Sequence, residues 1–509
     1  MVLCTHMKES SPKPRPLTEV LNPRNTPEMG FQSYEALGGD GAYRDKQKSD
    51  FIKGDIVNPT LDYPKLDDSE LNQGIYNLNS VLSIADTLPD EDVRSAVWDS
   101  TSYRMAEMYW LKSSSNLIHT YKSKSPEQVT AMIDQTQELN EQLYGKPKKS
   151  TSDSVISEVW AQIDSKELVG VAQTIKNELE NGVVVTVGDQ SVEVLPLRRS
   201  ESPRLPQIPK ELLEGLKAKL YADNADIVEL VNSYWCDVIL ARDEGSQVFK
   251  PADMFAVFKA VHALRDPENE SGVEVVMEPS AKAMSWDTPT MSVKIGGERD
   301  DIGSPETMLG KVFHEYVVHG GRAINGSRTN IPVLGTGLYT EADEGENSDY
   351  LTFEEGLAGM TEVAVLNDDA GWKPTNLEKY FGLGLAYEGK DFRQTYETLW
   401  RARILLLAKP GEEPTEKSIA LAKRNSYDSA VRIFRGTPTE LPRKDEEGEP
   451  RVLTYNKDLA YMDGKLQVIE FWDKYGNDPE MVDSAFQGKF DPLNHRQLEI
   501  FRKSKKENK

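Results

Sequence analysis

The most informative segment of the chain reads Lys311-Val-Phe-His-Glu-Tyr-Val-Val-His-Gly-Gly-Arg-Ala-Ile-Asn-Gly326. Its centre, His314-Glu315-Tyr-Val-Val-His319, is an H-E-x-x-x-H pattern, one residue longer than the H-E-x-x-H of zinc peptidases. Five residues at about 100° each leave the two imidazoles about 140° apart on a regular helix, too far to share one metal ion. A π-bulge or a distorted last turn would bring them together, and Gly320-Gly321 permits such a distortion. The pattern therefore predicts a locally irregular helix that presents both histidines to one metal.

The chemistry of the pattern indicates a catalytic zinc site with one Zn²⁺ per chain. Such a site keeps three protein ligands and an open position, so a third ligand is expected from a nearby element. The best candidate is Glu355 in Phe353-Glu354-Glu355-Gly356-Leu357-Ala358, and Glu354 is the runner-up. Glu315 is the expected general base, because it could take a proton from the water that a catalytic zinc activates and pass it to the leaving amine. A buried structural pair of histidines is the competing explanation.

Further blocks follow the first one in a fixed order, and together they resemble the tyrosine/phenylalanine carboxypeptidase family. These are the QEGLA-motif proteins, which include the microtubule-associated tyrosine carboxypeptidase. The matching residues are His314 to Gly326 with Arg322 and Asn325, Glu354 to Ala358 as QEGLA with Glu in place of Gln, Glu362, Phe434-Arg435-Gly436-Thr437, and Tyr455 to Gly464 with Lys457, Asp458 and Tyr461. The resemblance covers roughly residues 305 to 472 and leaves the N-terminal half unmatched.

The resemblance implies a zinc metallocarboxypeptidase that hydrolyses the C-terminal residue of peptides or proteins, with aromatic residues as the family's preference. It implies His314, His319 and Glu355 as metal ligands and Glu315 as base, in agreement with the chemistry above. Supporting positions around the metal are expected for Asn325, Glu354 and Glu362.

A carboxypeptidase must also recognise a free terminal carboxylate, which calls for Arg, Lys or Tyr donors near the metal. Arg435, Lys457 and Tyr461 are the hypothesised substrate-binding residues. Arg435 and Lys457 could equally form structural ion pairs with Asp458 or other acids. Arg322 shares this ambiguity: it is a candidate for substrate binding, and its position one turn after a ligand also suits a supporting role beside the metal.

Two departures from the family pattern bear on the substrate. The acidic stretch Glu341-Ala-Asp-Glu-Gly-Glu346 looks like an insertion, and Glu354 adds a negative charge beside the site. The nearest alternative enzyme is another H-E-x-x-x-H peptidase, such as a dipeptidyl peptidase, in which Glu341 to Glu346 could supply the acidic groups that capture a free amine. The alternative from another class is a non-catalytic zinc-containing binding protein. The intact Glu315 argues against it, because a structural site needs no base.

Composition restricts the partners of the protein. The chain has 84 acidic and 60 basic residues in 509, a formal net charge of −24, which repels phosphate backbones and anionic lipid. We therefore expect peptide or protein C-termini as partners, and neither nucleic acid nor membrane.

No segment approaches the roughly 18 apolar residues of a membrane span, and the N-terminus lacks the apolar centre of a signal peptide. A cytoplasmic protein is therefore expected. The two cysteines support no disulfide scaffold, and Cys236 is expected in the core.

The spacing of apolar residues predicts an α+β, mainly helical fold, a zincin-like metallopeptidase with active-site helices and a small β-sheet. Alternation over Val183 to Leu197 around Gly188-Asp189 predicts a hairpin, and Val273 to Met277 and Met291 to Ile295 are candidate strands. The expected organisation is a disordered or loosely attached tail over 1–60, a helical N-terminal region with the hairpin over 61–204, a catalytic domain over 205–500 and a frayed tail over 501–509.

Overall fold

The structure is a computed structural model that describes residues 21, 26–39, 41–243, 245–340, 348–366, 371–445 and 448–506. Most of these residues are helical, and the strands form three small sheets, so the mainly helical α+β class is confirmed. The α-helices are α1 Gly41–Lys53, α2 Asp68–Ala85, α3 Glu91–Thr120, α4 Pro126–Tyr144, α5 Lys149–Asp164, α6 Val171–Asn181, α7 Lys210–Asp223, α8 Ala225–Ala241, α9 Pro251–Arg265, α10 Pro305–Val312, α11 Gly321–Ser327, α12 Tyr350–Leu366, α13 Pro374–Tyr387, α14 Phe392–Leu407, α15 Glu416–Ile433, α16 Leu459–Tyr475, α17 Pro479–Ser484 and α18 His495–Lys506. Short 3₁₀ turns lie at Pro27–Gly30, Ser33–Leu37, Tyr121–Ser123, Pro332–Gly335 and Asn456–Asp458.

The predicted hairpin is confirmed. Strands β1 (Val183–Val187) and β2 (Gln190–Val194) pair antiparallel, with Val187 opposite Gln190. The turn between them contains Gly188 with φ +60°, a left-handed conformation that glycine adopts without steric cost.

A three-stranded sheet lies beside the H-E-x-x-x-H segment. Its strands β3 (Glu274–Glu278), β4 (Met284–Asp287) and β5 (Ser292–Gly296) have the order β3-β5-β4, with β5 parallel to β3 and antiparallel to β4. The two candidate strands thus correspond to β3 and β5, each displaced by one residue. A third sheet is the short pair β6 (Tyr339–Thr340) and β7 (Ser348–Asp349).

Two large apolar clusters form most of the core. The first surrounds the H-E-x-x-x-H segment and contains Ile75 and Leu78 together with Phe313. The second joins Val155 of α5 to Tyr380 of α13. Each cluster combines residues from before and after residue 205, so the core is shared across the boundary that the sequence analysis placed there.

Both predicted tails overlap ordered structure. In the N-terminal one, Phe51 of α1 is fully buried, as is Met29, whose carbonyl accepts a hydrogen bond from Arg104 Nε at 3.1 Å. In the C-terminal one, α18 continues to Lys506 and buries Phe501. Within the described parts of these segments, buried apolar residues anchor the chain to the core, and the remaining residues of both predicted tails lie outside the described part of the chain. Cys236, expected in the core, is exposed on α8.

No helix among the described residues has the length and apolar composition needed to cross a membrane.

The relative position of α12 and α16 depends on two glycines where the helices meet. A Cβ added at Gly356 would lie 2.1 Å from the carbonyl carbon of Gly464, and one added at Gly464 would lie 1.9 Å from Thr352 O. The two backbones therefore touch, which is possible only without side chains at these positions. This contact fixes Glu355 on α12 relative to Tyr461 on α16.

Candidate metal centre

The H-E-x-x-x-H segment is a π-helix. It spans Phe313–Gly320 and continues directly from α10 into α11. The wider π turn brings the rings of His314 and His319 to a centroid separation of 4.9 Å. The predicted local irregularity is confirmed, because a regular α-helix would hold these side chains on different faces.

Gly320 and Gly321 do not provide the unusual backbone conformation that was expected of them. Gly320 and Gly321 have φ −65° and −59°, ordinary helical values that any residue adopts. Gly320 is required for space instead, since a Cβ there would lie 3.0 Å from Cζ3 of Trp286 on β4.

The side chains of His314, His319 and Glu355 converge. Each offers a ligand atom, and these atoms all lie within 4.8 Å of one another. Both imidazoles come from the π-helix and the carboxylate from α12, which packs against it. The three residues could hold a metal ion, and their two nitrogens and one oxygen are donors that several divalent transition metals accept.

Helix α12 also supplies a carboxylate to each histidine. Glu354 Oε1 lies 2.8 Å from His319 Nδ1, and Glu362 Oε1 lies 2.6 Å from His314 Nδ1. A carboxylate at Nδ1 keeps the proton on that nitrogen and leaves Nε2 as the metal-binding atom. The positions of Glu354 and Glu362 therefore suit the supporting roles expected of them, and Glu355 is preferred over Glu354 as the ligand.

The extra charge of Glu354 is compensated within the fold. Lys489 Nζ lies 2.5 Å from Glu354 Oε1, and Arg322 Nη1 lies 3.2 Å from Oε2. Burial raises the pKa of Glu354, but Lys489, His319 and Arg322 lower it further, to about 2. Lys311 takes the corresponding place beside Glu362, at 2.9 Å.

The electrostatic surroundings of His314 favour positive charge. Burial lowers the pKa of His314, but the carboxylates of Glu315, Glu362 and Glu355 raise it by more than burial lowers it. An environment that favours a charged imidazole also suits a cation bound beside it.

Glu315 faces the ligands from the π-helix. Its Oε2 accepts a hydrogen bond from the backbone N–H of Trp286 at 2.8 Å, and its Oε1 lies 3.9 Å from His314 Nε2. The strand β4 therefore holds one carboxylate oxygen in place, while the other oxygen lies on the side of the ligand nitrogens.

The candidate ligands share one cavity of about 560 Å³ with three of the predicted substrate-binding residues. Arg435, Lys457 and Tyr461 line it together with Glu315. Lys457 Nζ lies 3.6 Å from Glu355 Oε1, and the Arg435 guanidinium lies over the Tyr455 ring at 5.9 Å. Asp458, the suggested alternative partner, pairs instead with Arg432 through contacts of 2.6 and 2.7 Å. The folded chain thus brings basic and phenolic groups from the two late blocks to the candidate metal centre.

Two assignments from the sequence need correction. Arg322 is fully buried, does not line the cavity, and donates to Glu354 and to the carbonyl oxygen of Gly488, so it supports the centre rather than contacting substrate. Asn325 donates to Phe486 O at 3.3 Å and lines a separate cavity of about 340 Å³, away from the ligands. The structure thus places Asn325, on α11, at another face than the candidate ligands, away from the position expected of it.

The sequence analysis missed several residues that line the cavity, among them Trp286, Arg432 and Lys489. Trp286 acts through its backbone N–H, which leaves no trace in side-chain patterns. Lys489 lies beyond every motif. Arg432 lies on the last turn of α15, three residues before Arg435. This spacing could have indicated that both side chains face the same site. The acidic stretch from Glu341 to Glu346 lies outside the described residues.

Comparisons of the chain with protein-family models and with curated proteins gave no match.

Proposed function

We propose that the protein is a zinc metallocarboxypeptidase that removes the C-terminal residue of peptides or proteins. The observation that carries the proposal is the meeting, in one cavity, of a possible metal-ligand triad, the carboxylate of Glu315 and the cationic side chains of Arg435 and Lys457.

Zinc is favoured over other ions by the donor set. Two imidazoles and one carboxylate are the ligands of several catalytic zinc sites, and three protein ligands leave a position open. A zinc ion held by His314, His319 and Glu355 would supply Lewis-acid activation of a carbonyl group and of water.

Glu315 is suited to move the proton of the reaction. The Trp286 N–H fixes Oε2, so Oε1 is available to accept a proton within the cavity and to donate it to the departing amine. The carboxylate lies only 3.9 Å from the ligand nitrogen of His314, which matches the position that the reaction requires.

Arg435, Lys457 and Tyr461 are suited to hold the terminal carboxylate of a substrate. Charge-assisted hydrogen bonds from guanidinium or ammonium groups to a carboxylate are among the stronger polar contacts. A basic cluster beside the reacting groups favours recognition of a free C-terminus over recognition of a free amine, which would need acidic side chains. This charge pattern supports a carboxypeptidase over a dipeptidyl peptidase.

The test uses matched peptides with one end blocked at a time, followed by mass spectrometry. We expect release of a single C-terminal residue from the free peptide and from its N-acetylated form, and no release from the C-terminal amide. Cleavage of the amide together with failure on the acetylated form would overturn the proposal in favour of an amine-recognising peptidase. A zinc-loaded protein that cleaves none of the peptides would indicate a binding protein.

Glu315→Gln separates the base from the ligands. The amide keeps the shape of the side chain but cannot accept a proton, so we expect turnover to fall at least about 100-fold, the lower end of what a positioned general base contributes. Zinc content should stay near that of the wild type, because Glu315 is not a ligand. Equal turnover in wild type and variant would contradict the role of Glu315.

A further inference from the structure

Lys489 is a buried cation beside the candidate metal centre. Its residue is 1% exposed, and it lies about 170 residues after the π-helix in a loop between α17 and α18. Burying an ammonium group is costly unless an anion and hydrogen bonds compensate it. The contacts of Lys489 therefore indicate what the charge does.

The anion is Glu354. Oε1 of Glu354 lies 2.5 Å from Lys489 Nζ and 2.8 Å from His319 Nδ1, so one oxygen contacts both groups. The side chains of Lys489 and Glu354 are each 2% exposed, which excludes screening by solvent. Lys489 thus contacts the very oxygen that orients a metal ligand.

The backbone around Lys489 is fixed by α11 and by the segment that follows it. Arg322 Nε donates to Gly488 O at 2.7 Å, and Arg322 Nη2 donates to Phe490 O. The Lys489 N–H donates to Leu334 O at 2.7 Å, and Lys489 O accepts from the Leu338 N–H at 2.9 Å. Because backbone groups on both sides of Lys489 are bonded, its ammonium is held at Glu354 and does not depend on a flexible loop.

We propose that Lys489 is a positioning residue of the metal centre: its ammonium holds Glu354 Oε1 at His319 Nδ1, so that this carboxylate orients the imidazole and leaves Nε2 for the ion. Without the ammonium, Glu354 Oε1 would lose the contact that holds it at Nδ1, and the His319 ring would lose the fixed orientation that metal binding requires. Lys489 therefore sets the metal affinity through Glu354. This inference rests on the metal-binding part of the proposed function and is independent of peptidase activity.

The pair Lys311–Glu362 beside His314 offers an internal comparison. It has the same chemistry, but its side chains are 29% and 24% exposed. Ion pairs that water reaches contribute little, because solvent replaces a lost partner. Removal of Lys311 should therefore affect the metal less than removal of Lys489.

The test measures zinc affinity of the full chain by competition with a chromophoric chelator. We expect Lys489→Met to weaken zinc binding about 10- to 100-fold, the range for lost partners of metal-binding histidines. Lys311→Met should weaken it by less than about threefold, in keeping with a solvent-accessible pair. Thermal melts of the metal-free proteins check that each variant is folded.

The double variant Glu354→Gln with Lys489→Met covers the case in which Lys489→Met alone fails to fold. It removes both buried charges while the Gln carbonyl oxygen can still accept the His319 proton. We expect it to bind zinc more tightly than Glu354→Gln alone, in which a buried ammonium lacks its anion.

A folded Lys489→Met protein with wild-type zinc affinity would overturn the inference, and so would a double variant that binds zinc no better than Glu354→Gln. The comparison of zinc affinities among the variants does not require peptidase activity. It can therefore support the inference even if the protein hydrolyses no peptide, and the two proposals can fail independently.

Discussion

At the scale of single residues, the candidate site depends on neighbouring groups that hold Glu315 and the two histidines in place. Glu315 is oriented by a backbone N–H of β4, and each histidine by a carboxylate of α12. These contacts fix the orientations of the three side chains, which the candidate ligands alone would leave open. Substitutions at these supporting positions should therefore alter the proposed catalysis without changing Glu315 or a candidate ligand.

Gly320→Ala tests the contact between the π-helix and Trp286. The added Cβ would lie 3.0 Å from the indole ring, so the ring and the N–H that orients Glu315 must shift by a few tenths of an ångström. We expect kcat to fall about 3- to 10-fold while zinc content is unchanged, since small displacements of reacting groups are costly. Gly321→Ala is the control, because its Cβ meets nothing closer than Tyr316 O at 3.7 Å. Equal kcat values in the two variants would contradict this account.

Arg435→Met tests recognition of the terminal carboxylate. Hydrogen bonds to charged groups contribute about 1.5–3 kcal/mol, so we expect kcat/KM for a peptide with a free C-terminus to fall about 10- to 100-fold. Zinc content should be unchanged, because Arg435 is not one of the three candidate ligands. Arg424→Met is the matched control, because it removes a guanidinium group at an exposed position of α15. An unchanged kcat/KM in Arg435→Met would remove Arg435 from the substrate site.

At the scale of elements, the geometry of the centre comes from the packing of α12 against the π-helix and α16. Helix α12 carries the third ligand and both supporting carboxylates at 354, 355 and 362. Its distance from α16 is set by the contact of Gly356 with Gly464. A change in this distance would move Glu355 relative to the histidines and to Tyr461 together.

Gly464→Ala should separate the two helices. Its Cβ would lie 1.9 Å from the backbone oxygen of Thr352, and neither backbone can move alone. Overpacking of this kind costs about 1–3 kcal/mol or more, so we expect a lower Tm and weaker zinc binding. Gly359→Ala, also on α12, serves as control because its Cβ would meet only the flexible end of Lys465, at 2.9 Å from Cε. Wild-type zinc affinity in a folded Gly464→Ala protein would show that this helix contact does not position Glu355.

At the scale of the whole molecule, metal binding should couple to stability. An ion that binds the folded chain alone stabilises it by about 4 kcal/mol at a thousandfold excess over Kd. We expect a strong chelator to lower the Tm of the wild type by several degrees. In Glu355→Gln, which lacks a ligand, chelator should change the Tm little. A Tm that does not respond to chelator or added zinc in the wild type would argue against a metal site.

The local chemistry of the centre could be predicted from the sequence. The H-E-x-x-x-H spacing itself requires a non-α turn for two imidazoles to meet, and the π-helix over Phe313–Gly320 confirms it. The identities of the converging residues follow in the same way, because metal-ligand chemistry restricts the candidates to His314, His319 and a nearby carboxylate. The hairpin was also predictable, since alternation and a Gly-Asp turn are local signals.

The choice among side chains that face in different directions was decided only by the tertiary structure. Arg322 and Asn325 lie three residues apart in one motif, yet one supports Glu354 and the other lines a different cavity. Lys489 and the Trp286 N–H reach the centre from segments without a motif, because burial and long-range packing bring them there. Local spacing determines which groups can bind a metal, whereas the partners that orient them depend on contacts between distant parts of the chain, and no local pattern encodes those contacts.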